Sequence, residues 1–181
     1  MPNNSFLERN EIILLGFKSL GDNVLISRKA SFYDVEHIKI GNNVRIDDFC
    51  VLSGRISIKD NVHVSTGVSL IAGDAGIEIG NHCCISVKSS VFAITDDFSG
   101  DSLVGPMEDY TKRKVLEKKV VIDDYAVVGA NCVLLPGAYI SKGSAVGALS
   151  LVKEKLEPFS IYGGIPCKLI KKRNDKLLKY F

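Results

Sequence analysis

The chain has 181 residues and a mass of 19.7 kDa, and 46% of its residues are hydrophobic, which suits one soluble domain with a single continuous core. Its 23 basic and 21 acidic residues leave a net charge of +2, too balanced for a surface that binds nucleic acid or a membrane as a whole, so any basic site must be local. No stretch approaches the roughly 18 apolar residues that span a bilayer, and the start MPNNSFLERNE lacks the layout of a signal peptide, so a cytoplasmic location is expected.

Residues 5–15 read as a short amphipathic helix, with Ser5 and Glu8 as an S-x-x-E capping box and Gly16 placed to end it. Such a helix would cover the open end of the repeats that begin at Leu20. There the words LGDNVL and ISRKAS set a six-residue beat that slips by two and then locks in at Ile40, Ile46, Leu52, Ile58, Val64 and Leu70. After an irregularity at AGDAGIE (72–78) it resumes at Ile79, Ile85 and Val91, and it returns as Ile122, Val128, Leu134, Ile140, Val146 and Val152. A period of six fits neither an α-helix nor an amphipathic strand. It fits a turn followed by a short strand, the signature of a parallel β-helix in which each unit buries its aliphatic side chain only against its neighbours.

Five cysteines without a C-x-x-C pair suit neither a disulfide framework nor a zinc site. Cys50, Cys83 and Cys132 fall four residues after a periodic aliphatic, a register held elsewhere by Val44, Ala126, Ala138 and Ser144, so they read as small core residues.

The beat is interrupted from about Phe92 to Val120, where AITDDFSGDSLVGPMEDYTKRKVLEKK carries Gly100, Gly105, Pro106 and dense charge. Long loops within compact repeat domains tend to be functional, and this one, flanked by regular coils, is expected to be an arm held against a neighbouring subunit. After Val152, Gly163, Gly164 and Pro166 mark a turn, and a basic segment begins at Lys168 and is expected to end in a helix. Lys168, Lys171, Lys172 and Arg173 could cradle phosphates. The expected layout is one domain over 1–181: a cap (5–15), coils (20–91 and 120–152), a loop arm (92–119) and a C-terminal segment (153–181).

These words, VGANCVLLPGAYISKGSAVGALSLV followed by YGGIPCKLIKKR above all, resemble the final coils and the G-x-P-[AC]-[KR] ending of the hexapeptide-repeat acyltransferases. The resemblance covers nearly the whole chain from Gly16. It implies an all-β, left-handed parallel β-helix, acetyl-coenzyme A or another acyl-coenzyme A as co-substrate, and homotrimers with active sites in the clefts between β-helices. Left-handed coils depart from the usual right-handed crossover. The chain is most similar to sugar acetyltransferases. Against galactoside-type members, Ala130, Ala148, Lys153 and Lys171 fall where the cofactor is contacted, with Ala130 replacing a hydroxyl residue and Lys153 often a threonine. Gly164 and Lys168 of the ending, with Arg173 beyond it, complete the expected cofactor set. The arm's AITDDFSGDSLVGP is also similar to a word in N-acyltransferases of nucleotide-linked amino sugars.

Many O-acetyltransferases of that family place a histidine on or near the acceptor loop. Here His37, His63 and His82 all lie outside it, and the loop instead offers Asp96, Asp97 and Asp101. A carboxylate is a poor base toward a sugar hydroxyl but can hold and orient an amine and help take its proton. The same acids also suit ordinary turn chemistry. The expected reaction is therefore acetyl transfer to the amine of a nucleotide-linked amino sugar, a small-molecule acceptor, with Asp96, Asp97 and Asp101 at the site and His63 as the reserve base. No metal, nucleic acid or membrane enters this reading. The alternative is O-acetylation of a galactoside, capsule or lipopolysaccharide sugar with His63 or His82 as base; a metal-dependent carbonic anhydrase on the same scaffold and a purely structural β-helix are weaker rivals.

Overall fold

The computed structural model describes residues 5–180. The chain winds into a three-sided coil whose sides are sheets of six, eight and six strands, parallel except for the last strand of the second, matching a left-handed parallel β-helix. The first sheet stacks Ser19–Leu20, Ile38–Ile40, Ile56–Ile58, Ile77–Ile79, Val120–Ile122 and Tyr139–Ile140. The second runs from Leu25–Ile26 through His63–Val64, Cys84–Ile85 and Ala145–Val146 to Lys168–Lys172, and the third from Ser31–Tyr33 through Ser90–Phe92 to Leu151–Val152.

The coil strands from Ser19–Leu20 to Leu151–Val152 are two or three residues long because one periodic aliphatic per side, or two on the first sheet, fills the interior. Ile46, Leu52, Leu70, Ile85, Val128, Leu134 and Val152 are completely buried. Burying each such side chain stabilises the coil by roughly 1.5–3 kcal/mol. The second inward register is equally dry: Val44, Cys50, Cys83, Ala126, Cys132 and Ala138 are buried, and so is Ser144, whose hydroxyl donates to the Glu157 carbonyl at 2.6 Å.

The corners explain the polar half of each repeat. Between the first and second sheets, Asn23, Asn43, Asn61, His82, Tyr125 and Gly143 form a column of residues with positive φ, a conformation in which asparagine and glycine are cheapest. The residues before them interlock: Asn42 Oδ1 accepts from the Asp22 amide at 2.8 Å, Asp60 Oδ1 from Asn42 at 2.7 Å, Asn81 Oδ1 from Asp60 at 3.2 Å, and Asp124 Oδ1 from Asn81 at 2.7 Å. Glycine precedes them where coils touch. A Cβ on Gly80 would lie 2.5 Å from the Asp124 amide nitrogen.

The slip before Ile40 is a 3-10 turn, Val35–His37, preceded by Asp34 at φ 56°. The irregularity at 72–78 is a turn closed by the Gly76 amide on the Ala72 carbonyl. At the N-terminus the helix is shorter than the sequence suggests, spanning Arg9–Leu14. Its capping box is formed by Glu8 and Glu11 rather than by Ser5 and Glu8. Ser5 is occupied elsewhere, its carbonyl accepting from the Arg28 amide, and Phe6 bridges Ser27 in antiparallel fashion, so the entering chain adds to the second sheet before it coils. Ile12 is the residue by which the helix seals the end of the core.

The arm leaves the corner between the third and first sheets. Ile94–Asp96 and Val115–Glu117 pair as a two-stranded antiparallel hairpin, and the chain rejoins the first sheet at Val120. At the other end, Ser160–Gly163 adds in parallel to Ala145–Val146, and Lys168–Lys172 folds back antiparallel onto it. The basic segment is therefore a strand, with 3-10 geometry only at Lys176–Tyr180. A paired edge can be extended by one more hairpin strand without opening the core, whereas a helix would have to be packed against it.

Candidate active site

The arm's hairpin register decides which side chains share a face. Thr95 lies opposite Leu116, and Asp96 opposite Val115. Directly opposed residues point to the same side and successive ones alternate. Ile94 and Glu117 are turned toward Gly73. Thr95 and Leu116 look the other way, over the coils that follow the arm, where with Phe98, Leu135, Pro136 and Lys153 they enclose a groove of about 620 Å³. That is within the usual range of small-molecule sites, roughly 300–1,000 Å³.

The three acidic residues of the arm are in different situations. Asp96 accepts a hydrogen bond from Arg113 Nη2 at 2.9 Å and from the Gly105 amide at 3.3 Å. Asp97 is buried and fully engaged: it accepts from the amide and the hydroxyl of Ser99, both at 3.0 Å, and pairs with Lys114 Nζ at 2.9 Å. The Lys114 ammonium, with the Ser99 bonds, holds its carboxyl below the usual carboxylate range. Asp101 is exposed at the tip, and its amide donates to Ser99 Oγ at 3.2 Å. Asp97 thus ties the two sides of the arm together, while Asp96, two residues from Ile94, belongs to the face of the hairpin opposite Thr95 and Leu116, with Arg113 as its partner.

His63 lies on the outer face of the second sheet, in register with Arg45 and Cys84. Its Nε2 is 2.7 Å from Asp47 Oδ2, and Arg45 Nε donates to the other Asp47 oxygen at 2.7 Å. Burial works against the charge on Asp47, but the bonds from His63 and Arg45 outweigh it and lower its carboxyl. A proton on Nε2 facing the carboxylate leaves Nδ1 as the lone-pair nitrogen. His63 and Asp96 occupy different sides of the coil, so one chain does not bring them together. His82 is a corner residue stacked on Tyr125 with ring centroids 5.3 Å apart, and His37 closes the 3-10 turn. Among the described residues, no three histidine, cysteine, aspartate or glutamate side chains gather as a metal site would require.

The residues expected to hold the cofactor are spread over three corners. Ala130 and Ala148 stack at the corner of the second and third sheets, where the Leu149 amide donates to the Ala130 carbonyl at 2.9 Å. Gly164, at φ 103°, joins them through Ser150, whose hydroxyl accepts from the Gly164 amide at 3.0 Å and donates to the Gly147 carbonyl at 2.7 Å. Lys153 lies at the rim of the arm's groove. Lys168 and Lys171 are exposed on the terminal hairpin strand. Arg173 also has a structural part: one guanidinium nitrogen, Nη1, donates to the carbonyls of Tyr125 and Gly143 at 3.1 and 2.9 Å, pinning the tail to the corner column.

Two groups escaped the sequence reading. Arg113 reads as one cation in a charged loop, and only the hairpin register sets it against Asp96. Asp47 reads as a turn residue; that it faces His63, 16 positions later, results from one turn of the coil.

Comparison with known proteins gives a consistent set of likenesses, although no family model matches the chain. The chain is 39% identical over 178 residues, 97% of its own length and 92% of the relative's, to a dTDP-4-amino-4,6-dideoxy-D-glucose acyltransferase from Escherichia coli. It is 34% identical over 146 residues, 78% of this chain and 71% of the relative, to the putative lipopolysaccharide biosynthesis O-acetyl transferase WbbJ of Escherichia coli K12. Among solved structures it superposes on AntD, an N-acyltransferase from Bacillus cereus, with a TM-score of 0.96 and 42% identity over 98% of this chain and 95% of that one. AntD has been solved with dTDP-4-amino-4,6-dideoxyglucose and coenzyme A, and with dTDP and 3-hydroxybutyryl-coenzyme A.

Proposed function

This chain belongs to the hexapeptide-repeat acyltransferases, and from that membership we propose that it transfers the acyl group of acyl-coenzyme A to the amine of a dTDP-linked 4-amino-4,6-dideoxy sugar. The observation that carries the reading is the arm: it has no histidine and holds Asp96 against Arg113 Nη2 at 2.9 Å. The amine attacks the thioester carbonyl, the new N–C bond forms as the C–S bond breaks, and the proton lost from nitrogen ends on the departing coenzyme A sulfur. Asp96 holds the amine and shares its proton on that path, and Arg113 keeps the carboxylate aimed and charged. The oxyanion is met by backbone amides of the coils lining the cleft. In AntD the solved variants change one serine and one aspartate ten positions apart, the spacing of Ser86 and Asp96 here. Ser86 follows the strand Cys84–Ile85 on the second sheet.

The site is completed by a homotrimer. Phe98, Met107 and Tyr110 of the arm are 84, 96 and 83% exposed, and so are the corner residues Phe49 and Leu149 at 60 and 65%. Apolar side chains concentrated in this way mark a surface that a partner covers. An arm laid on the second sheet of the partner subunit brings Asp96 toward the partner's Ser86 and the partner's His63, and sets Lys153 across the cleft from the partner's Ala130 and the partner's Ala148, reuniting the divided cofactor set. Lys168 and Lys171 then meet the cofactor's phosphates. The reaction belongs to the supply of an acylated sugar for a surface glycan, in the cytoplasm.

O-acetylation is the second reading, favoured by the pairing of His63 with Asp47, which leaves Nδ1 able to take a hydroxyl proton. Steady-state assays with dTDP-4-amino-4,6-dideoxyglucose against its 4-hydroxy counterpart separate the two. Turnover confined to the amino sugar is expected, and turnover confined to the hydroxy sugar would establish the other.

A further inference from the structure

The outer face of the first sheet carries a cluster of charges that the proposed reaction does not use. A depression of about 290 Å³ is lined there by four cations, Lys18, Lys39, Arg55 and Lys119, and by two carboxylates, Asp74 and Glu78. Both carboxylates are engaged: Asp74 accepts from Arg55 Nε at 3.0 Å, and Glu78 pairs with Lys119 Nζ at 2.5 Å. Lys18 and Lys39 have no ion-pair partner among the described residues, and Arg55 keeps its two terminal guanidinium nitrogens for another acceptor. Ser57 and His37 line the same depression, and the carboxylate beside His37, that of Glu36, is 3.9 Å away, beyond hydrogen-bond reach. The hollow therefore gathers donors whose acceptor must come from outside the chain.

The coil sets their spacing. Lys18 precedes the strand Ser19–Leu20, Lys39 is the middle residue of Ile38–Ile40, and Arg55 precedes Ile56–Ile58, so the three stand on consecutive strands of one sheet. Neighbouring strands lie about 4.8 Å apart, and the cations thus span roughly 10 Å along the coil. A single small anion meets one rung of that ladder, whereas two linked phosphates present oxygens to several. We propose that the depression is a diphosphate-binding site whose donors are Lys18, Lys39 and Arg55. Two sources share that chemistry, the nucleotide diphosphate of the acceptor and a free diphosphate. The first is near at hand: Ile94 and Glu117, on the hairpin face that carries Asp96, are turned toward Gly73, and the next residue, Asp74, lines the depression. Neither source depends on which sugar atom is acylated.

The test is a calorimetric titration with inorganic pyrophosphate, on protein saturated with coenzyme A so that the cofactor's own phosphate contacts are already filled. Saturable binding is expected. Lys18→Glu and Lys39→Glu should each weaken it at least about tenfold, the effect of losing one charge-assisted hydrogen bond. Both positions are exposed, so the fold is retained, and thermal melting checks this. Lys142→Glu makes the same change of net charge at another corner and should leave binding as it is. Adding dTDP-4-amino-4,6-dideoxyglucose separates the sources: displacement of pyrophosphate identifies the acceptor's diphosphate as the ligand, and undiminished binding identifies a free diphosphate held apart from the acceptor. Absence of saturable binding overturns the proposal, and so does binding that Lys18→Glu and Lys39→Glu leave unchanged or that Lys142→Glu weakens as much; in each case amine acylation stands.

Discussion

Three carboxylates within six residues look alike in sequence, yet their partners separate them. Asp97 spends its oxygens on Ser99 and Lys114, whereas Asp96 is held by Arg113 and the Gly105 amide. Asp96→Asn should therefore lower kcat about a hundredfold or more while the KM for acyl-coenzyme A holds steady; a variant within threefold of wild type would remove Asp96 from the chemistry. The cysteines lead to the opposite expectation. Burial pushes the Cys83 thiol up to about 12 and also raises Cys50, Cys84 and Cys132, so none is poised as a thiolate. Cys83→Ala, Cys84→Ala and Cys132→Ala should each turn over substrate, and rapid-quench mass spectrometry should find no acyl-cysteine; an acylated peptide at any of them would contradict direct transfer. The inward register of Cys50, Cys83 and Cys132 was legible because a strict period maps sequence position onto orientation. The pairings of Asp96 with Arg113 and Asp47 with His63 were not, because each joins residues whose proximity is set by hairpin register or coil height.

At the level of elements, the repeat announces its coils and conceals its interruptions. Residues 40–91 and 120–152 were readable because each aliphatic must fall on an inward strand position. The ends were less so: Glu8 displaces Ser5 as the helix cap since Ser5 is drawn into contact with Arg28, and the basic tail extends a sheet edge rather than coiling. The corners bear the tightest constraint. Gly80 meets Asp124 across the break made by the arm, so Gly80→Ala should cost about 2 kcal/mol and lower Tm by roughly 4–8 °C; an unchanged Tm would show that the two coils can part without penalty. The arm has its own anchor in Asp97. Because its carboxyl is held below the ordinary range, the Lys114 and Ser99 contacts contribute fully above that range and are lost as pH falls through the depressed value. Exchange of the Ser99 amide, corrected for intrinsic rate, should rise on acidification in wild-type protein and be fast already at pH 7 in Asp97→Asn. Equal protection in the two proteins at pH 7 would mean that the arm is held by something else.

The whole molecule presents a coil that buries its repeats yet exposes apolar side chains on its arm and at one corner, and it divides the residues proposed to hold the cofactor among separate sides. The proposed trimer would answer both features at once. Leu149→Asp at the exposed corner should give monomers by analytical ultracentrifugation, with coil stability little changed and turnover abolished; monomers that remain active would place the whole site within one chain. The first sheet, whose outward positions include Lys39, Ser57 and Glu78, is the side left to solvent in such an assembly. In the proposed reaction the histidine-free arm and its Asp96 single out the nitrogen of an amino sugar as the atom acylated. Incubating the protein with acyl-coenzyme A and dTDP-4-amino-4,6-dideoxyglucose and locating the new acyl group by NMR tests that most directly. An amide at C4, formed with stoichiometric release of free coenzyme A, is the predicted product, and an ester on a sugar oxygen with the amine left intact would contradict it.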